Sequence, residues 1–466
     1  MGGKLGNVFL SFFNTVIITR YLGPQNYGKY TFILSIVAII VVLWDFGLNV
    51  LLTRDVAREP VIVNQYVGGA ITIKSVFALV TAIILLITLW YLHYDALIMK
   101  SVFIFLVATY LMSISAVFNA VFSAFRRMEF NSLLSFLRPL LLFVALSIIV
   151  TMSGGIVSIF FCQLMASILI FITSFIFVKK FVQPKLLFDN RQLFVFVRKG
   201  FPFLMISVSH IILYKIDHVM ISMMVGDKAL GLYGSAYTLT DIIITFIPML
   251  FVTSAYPVLS SLYKNDSGSL LELFHTIFKN LLLIGIPASC GIVLLGREII
   301  VFTYGNEYFE AGRLLSILGC TIWLSFISLL LAWTLTAMDR QRLVLFNNFF
   351  FMIVNIATNF YAIHLYGASG AAVTTCICSL GGFFVLLFFL LKDKIPFLFL
   401  KWEELFKILF SSFVMVAVIF IIKNNFIIIN DTIKLFVIIA VSMIVYLGLA
   451  YFLNLIHKSN LEILMK

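Results

Sequence analysis

Charge is what this 466-residue sequence has least of: Asp, Glu, Lys and Arg make up 11% of it, where a soluble domain carries about 25%. Hydrophobic residues fill 62% of positions and the mean hydropathy is +1.13. No soluble core could hide that much apolar surface, so a soluble globular class is excluded. Cysteine is scarce too. Cys162, Cys290, Cys320, Cys376 and Cys378 all fall inside or at the edges of apolar runs, and the one close pair has no zinc-site spacing. A buried small-apolar role is expected for all five, with no metal site. Walker-type loops, H-E-x-x-H and G-x-S-x-G are missing, and carboxylates outside loops are too few for paired acid–base work. The expectation is therefore no enzyme and no cofactor. The N-terminus has one Lys and no small-residue cleavage site, so a removed signal peptide is not expected.

What is abundant is Phe, at 50 positions, together with a net charge of +12. In a soluble protein that charge would suggest nucleic acid. Here the basic residues lie in short blocks between apolar runs, the pattern that sets membrane topology, so the expected surroundings are membrane lipids and no nucleic acid. A spanning helix needs roughly 20 apolar residues. On that criterion helices are expected near 4–20, 29–52, 67–92, 100–125, 133–152, 155–179, 199–225, 231–262, 276–296, 312–338, 343–366, 368–391, 404–423 and 432–455. The fold class is an all-α polytopic membrane protein of about 14 transmembrane helices, because backbone groups in hydrocarbon must be satisfied within their own segment. With both termini in the cytosol, 21 of the 32 Lys and Arg fall in cytosolic segments, eight in external ones and three within helices. That asymmetry supports both termini inside.

The chain also repeats itself. Gly23 to Tyr30 and Gly226 to Tyr233 both read G-x-x-x-x-G-x-Y, Ala124 to Arg127 is echoed by Ala337 to Arg340, and Ser153 to Val157 by Ser369 to Val373. The echoes recur 203, 213 and 216 residues apart and in order, which predicts two parallel six-helix lobes plus two C-terminal helices. The expected domains are a lobe at 1–179, a cytosolic linker at 180–198 containing Pro184, a second lobe at 199–391, and two further helices in 392–466. Gly23, Gly28, Gly226 and Gly231 are read as turn residues that tolerate positive φ, or as hinges.

Ionisable residues deep in a membrane are the informative ones. The seventh helix holds His210, Tyr214, Lys215, Asp217 and His218; His210, Tyr214 and Asp217 are spaced to share a face, and Lys215 points elsewhere. Lys215 needs either an interhelical partner or an anionic ligand. Asp45, Asp217 and Asp241 would bind coupling cations or protons, or pair with bases nearby. Thr238 and Thr245 extend the stripe of Asp241 on the eighth helix. Ser115, Asn119 and Ser123, like Asn355 and Asn359, would glue helices together or face a sugar. Arg20, Arg54 and Arg138 would suit a pyrophosphate or would snorkel to headgroups, and Lys74 would snorkel likewise.

Arg20 to Tyr30 resembles the external turn of polysaccharide-export proteins in the multidrug/oligosaccharidyl-lipid/polysaccharide flippase superfamily. Trp44 to Leu48 is similar to their second helix, Asp217 to Tyr233 with Pro248 and Pro257 to their seventh and eighth, and Arg340, Asn355, Asn359 and Gly367 to Ala372 to their tenth to twelfth. The resemblance implies a two-lobe transporter that opens alternately to each side. Its cargo would be a polyprenyl-(pyro)phosphate-linked oligosaccharide, such as an O-antigen unit, for surface polysaccharide. It implies the cytoplasmic membrane, a lipid-linked glycan substrate, and a glycan polymerase or glycosyltransferases as partners. It matches Arg20 and Arg54 to cationic positions and Asp45 to an acidic one. The first helix has about 16 residues before Arg20, ~24 Å of rise, shorter than the family's leader, which leaves a truncated or misassigned start open. A multidrug or organic-cation antiporter of the same superfamily and a non-transporting scaffold for glycan assembly are the competing readings.

Overall fold

The computed structural model describes residues 2–183, 189–265, 267–392, 402–425 and 431–455. Pro184, residues 393–401 and residues 456–466 therefore lie outside the described residues. Those described are helical, without a strand: α1 (Gly2–Asp45), α2 (Leu48–Arg58), α3 (Val63–Tyr91), α4 (Ala96–Ala124), α5 (Met128–Thr151), α6 (Ile156–Val178), α7 (Asn190–Met224), α8 (Asp227–Asn265), α9 (Ser267–Tyr304), α10 (Ala311–Gly319), α11 (Thr321–Ala337), α12 (Gln341–Tyr366), α13 (Ala368–Lys392), α14 (Trp402–Asn425) and α15 (Asp431–Phe452).

Twelve stretches are long and apolar enough to cross a membrane, and α10 with α11, bent by 42°, makes a thirteenth. The longest, Gly6–Arg58, is itself interrupted at Gly23 (φ 65°, ψ 169°). Gly23 divides it into two helical segments, and the count by length and apolarity stands at 12 to 13 against the about 14 expected. Pro24 follows at once, and a proline without an N–H opens a helix at no cost in hydrogen bonds. Gly226 (φ 115°) separates α7 from α8 in the same way. These single-residue breaks correct the reading of Gly28 and Gly231. Both lie inside helices, because the next helix starts immediately after the break rather than several residues on.

The second echo is also a repeated helix end. Arg126 and Asp339 both have positive φ, 58° and 61°, and the following amides, Arg127 and Arg340, each donate 2.8 Å back to Phe122 and Leu335. That is the 6→1 bond of a Schellman end. The third echo is not. Ser153 (φ 54°) ends α5, whereas Ser369 lies within α13 and Gly367 (φ 59°) occupies the corresponding corner.

Contacts divide the chain into Met1–Ser222 and Met223–Lys466. The boundary thus falls at the end of the seventh helix, not in the expected linker at 180–198. Half of that linker is helical instead, since α7 begins at Asn190. The cause is its apolar stripe: Phe196 and Leu204 are buried in the core of the first unit with Leu52, Val67, Phe118 and Phe122, and the Phe196 ring lies 4.6 Å from that of Tyr66. In the second unit α14 and α15 pack on α9 through Leu295, Met415, Ile419 and Ile438, and Tyr446 donates to the Leu283 carbonyl at 2.7 Å. Exposed aromatics at helix ends, among them Trp90, Tyr91, Tyr366, Trp402 and Tyr451, fit the interfacial belts of a membrane protein.

Candidate functional site

In the first unit, Trp-Asp-Phe-Gly-Leu is where α1 stops. Trp44 is buried and donates its indole N–H to Thr81 at 2.7 Å, and Phe46 and Gly47 take positive φ, 46° and 65°. The Asp45 carboxylate therefore sits at a helix break, facing α3. Lys74 Nζ donates to Asp45 Oδ1 at 2.7 Å, to Asn49 Oδ1 at 3.2 Å and to the Ser113 carbonyl at 3.2 Å, while Asn49 donates to Asp45 at 2.6 Å. Lys74 is only 1% exposed. The expectation that it snorkels is corrected: three acceptors on neighbouring segments satisfy the ammonium inside the unit. The broken backbone is also an α7 contact. A Cβ on Gly200 would lie 2.0 Å from the Phe46 carbonyl oxygen, and one on Gly47 2.2 Å from Phe203 Cβ, so only glycine admits this approach.

Arg54, on α2, is largely exposed; its Nε donates to Asp55 at 2.7 Å, and Tyr66 OH donates to the other carboxylate oxygen at 2.7 Å. Arg20 is exposed at the end of the first span, and Lys215 is half-buried. On α7, Asp217 and His218 are buried, with the His218 amide donating to Asp217 Oδ1 at 2.8 Å and Nδ1 2.8 Å from that oxygen. The His210 and Tyr214 rings stack at 4.5 Å but are exposed. The expected common face is thus split by depth along the helix. In the second unit Thr245 donates to the half-buried Asp241 at 3.5 Å and Thr238 to the Gly234 carbonyl. Asn359 donates to Asn355, and Thr374 donates to Asn359. This is interhelical glue between α12 and α13. Among the cysteines, Cys320 is exposed, against the buried role expected of all five.

Arg138 has a different setting. It lines a cavity of about 460 Å³ inside the first unit, together with Asn7, Ser11, Asn14 and Thr15 of α1 and Asn119 of α4. The wall is built by Pro139. A proline has no N–H for the carbonyl four residues back, which is Ser135, and Asn7 Nδ2 supplies the missing donor at 2.9 Å. Asn14 Nδ2 donates to the Pro139 carbonyl at 2.8 Å. Tyr30 OH accepts the Gln163 amide at 2.8 Å. What is left over faces inward: Arg138 Nε, Asn14 Oδ1 and Asn119 Oδ1 are buried without a hydrogen-bond partner. No ion pair of Arg138 occurs among the described residues, and no Asp or Glu lines the cavity. Ser115 and Ser123 point elsewhere, Ser115 accepting from Ser174 and Ser123 from Asn131. Only Asn119 of that triplet reaches the cavity.

The Asn7, Ser11, Asn14 and Thr15 wall escaped sequence reasoning. Its signal was present, since i, i+4, i+7 and i+8 share a helix face.

Fold and site define a polytopic helical membrane protein with a cationic cavity in its first unit, lined by no carboxylate among the described residues. Residues 1–263 match the family described as polysaccharide biosynthesis protein, over half of the chain, and the chain belongs to that family. Residues 202–361 also match MatE. It is 27% identical over 104 residues, 22% of this chain and 21% of that protein, to the teichuronic acid biosynthesis protein TuaB of Bacillus subtilis (strain 168). It is 25% identical over 230 residues, 49% of this chain and 48% of that protein, to a probable low-salt glycan biosynthesis flippase of Haloferax volcanii. The matched regions thus span about a fifth and about half of those relatives. Among solved structures, the lipid II flippase MurJ in its inward closed conformation superposes with a TM-score of 0.79 at 18% identity, over 97% of this chain and 98% of that one. An inward-facing multidrug resistance MATE family transporter gives 0.67 at 15%, over 84% and 96%. Both likenesses show the fold.

Proposed function

We propose that this protein translocates a lipid-linked oligosaccharide across the cytoplasmic membrane for surface polysaccharide synthesis. Family membership and the glycan-flippase description of one relative support that reading, but the observation that carries it is Arg138. A cavity with a half-buried guanidinium, amides and hydroxyls, and no carboxylate among its described lining residues repels an organic cation and attracts an anionic, hydroxyl-rich solute. The glycan and its (pyro)phosphate are such a solute.

In this reading two six-helix lobes, with the two C-terminal helices outside the repeat, open alternately to the two sides, and both termini lie in the cytosol. Arg20, Arg54 and Lys215 draw in the phosphates, Asp217 and Asp241 couple to a cation, and Gly23 and Gly226 flex. Asp45 serves Lys74. The work is transport rather than catalysis, and glycosyltransferases or a polymerase supply and consume the glycan. The test is complementation in cells lacking their own glycan flippase: this chain restores surface polysaccharide, and Arg138→Gln restores much less. Restoration of surface polysaccharide by neither protein, or rescue indifferent to Arg138, would defeat the proposal. The MatE match over 202–361 favours drug efflux as the second reading; in the same cells that reading requires lowered accumulation of an organic cation dye.

A further inference from the structure

The hairpin of α5 and α6 carries its exposed charge at one end. No Asp, Glu, Lys or Arg occurs between Arg138 and Lys179, so the turn at 152–155 and the helix stretches beside it are uncharged. The open end has Arg126 and Arg127 just before α5 and Lys179 and Lys180 just after α6, all four exposed. Packing makes the two pairs neighbours. The Phe125 and Phe181 rings, one beside each pair, lie 5.4 Å apart, and those of Phe130 and Phe177 lie 4.9 Å apart. Glu129, 3.5 Å from Arg127, is the only acid in residues 122–133 and 172–183. Arg126, Lys179 and Lys180 have no ion pair among the described residues.

The backbone does not ask for this charge. At the echoing corner of the second unit Asp339 takes the same positive φ as Arg126, 61° against 58°, so the turn accepts either sign. Four like charges gathered at one corner repel one another, and an anion relieves them. What lies beside them is apolar: Leu133 and Phe136 of α5 and Ile172 and Ile176 of α6 are exposed along the same hairpin. Lys179 Nζ rests 4.6 Å over the Phe175 ring, at the boundary between that apolar face and the charged end. A basic cluster at the end of an apolar helix pair recognises an anionic lipid headgroup. Two basic pairs on two segments suit two phosphates spaced along one headgroup, the Arg forks gripping oxygens and the Lys ammoniums acting as point charges.

We infer that the open end of the α5–α6 hairpin binds an anionic phospholipid with two phosphates, one on Arg126 and Arg127 and the other on Lys179 and Lys180, its acyl chains lying along the exposed faces of both helices. This site is separate from the cavity of Arg138 and does not depend on what is transported. The test is native mass spectrometry of the full-length protein in mild detergent, titrated with diphosphatidylglycerol, phosphatidylglycerol, phosphatidylcholine or inorganic pyrophosphate. Diphosphatidylglycerol should bind saturably, phosphatidylglycerol about fivefold more weakly, and phosphatidylcholine and pyrophosphate more weakly still. Lys179→Gln with Lys180→Gln should weaken the two-phosphate lipid about 25-fold, at about fivefold per cation, and Arg126→Gln with Arg127→Gln should match it. Arg342→Gln with Lys392→Gln takes the same charge from exposed positions of the second unit and should leave binding unchanged. All six positions are exposed, so the three double variants should keep the wild-type melting temperature. Equal losses in the first-unit and second-unit variants would mean attraction to net charge alone and overturn the site. So would displacement of the lipid by pyrophosphate at equal concentration, or diphosphatidylglycerol binding no better than phosphatidylcholine. Phosphatidylglycerol binding as tightly as diphosphatidylglycerol would overturn the assignment of two phosphates.

Discussion

Lys74 and Arg138 both lie inside the first unit, one with its charge answered and the other without. Lys74 has Asp45, Asn49 and the Ser113 carbonyl within 3.2 Å. Around Arg138 the same helix bundle supplies neutral amides and hydroxyls and no carboxylate. Since a buried charge is expensive in either place, the difference separates two uses: a cation that holds helices together, and one kept available for something that arrives.

The sharpest way to break that contrast is to strip the answered charge. Asp45→Ala leaves Lys74 buried without its counter-ion and should cost about 3–5 kcal/mol, seen as a collapse of folded yield and melting temperature in mild detergent. Adding Lys74→Met to it should recover most of the loss; if the double variant is no better than the single, the pair is not the unit it looks to be. Next in size is Gly200→Ala. The new methyl would meet the Phe46 carbonyl at 2.0 Å and should cost about 1–3 kcal/mol by forcing α7 off the helix break; an unchanged melting temperature would show that this contact is looser than drawn. Arg138→Gln should behave oppositely, leaving stability within about 1 kcal/mol or raising it, because an uncompensated charge is removed, while export drops about tenfold. The smallest effect belongs to the exposed Glu403–Lys407 pair on α14, at 2.5 Å and four residues apart. Lys407→Ala should cost about 0.3–0.5 kcal/mol.

Much of this was legible beforehand. The spans could be counted to within one or two of the 12 to 13 found, because the apolar runs long enough to cross are set apart by charge or by glycine. Asp45 could be flagged because it interrupts such a run. What could not be read was the partner: Lys74 lies 29 residues away on the next helix, and nothing in the local sequence distinguishes reaching inward from snorkelling outward. The breaks at Gly23 and Gly226 were visible, but not that a single residue suffices, which moved Gly28 and Gly231 from turn to helix. Arg138 was marked for its charge. Its setting depends on Pro139 freeing the Ser135 carbonyl and on Asn7, 128 residues earlier, reaching back to it, a pairing that only the packed helices reveal.

The central claim is that an anionic, hydroxyl-rich cargo crosses by way of Arg138. The direct measurement is flipping of a fluorescent polyprenyl-pyrophosphate-linked oligosaccharide in proteoliposomes, read as label reaching a membrane-impermeant quencher. The wild-type chain should flip it well above empty vesicles and Arg138→Gln should do so about tenfold more slowly, with the variant at least as stable to within about 1 kcal/mol. Flipping no faster than empty vesicles, or undiminished in Arg138→Gln, would contradict it.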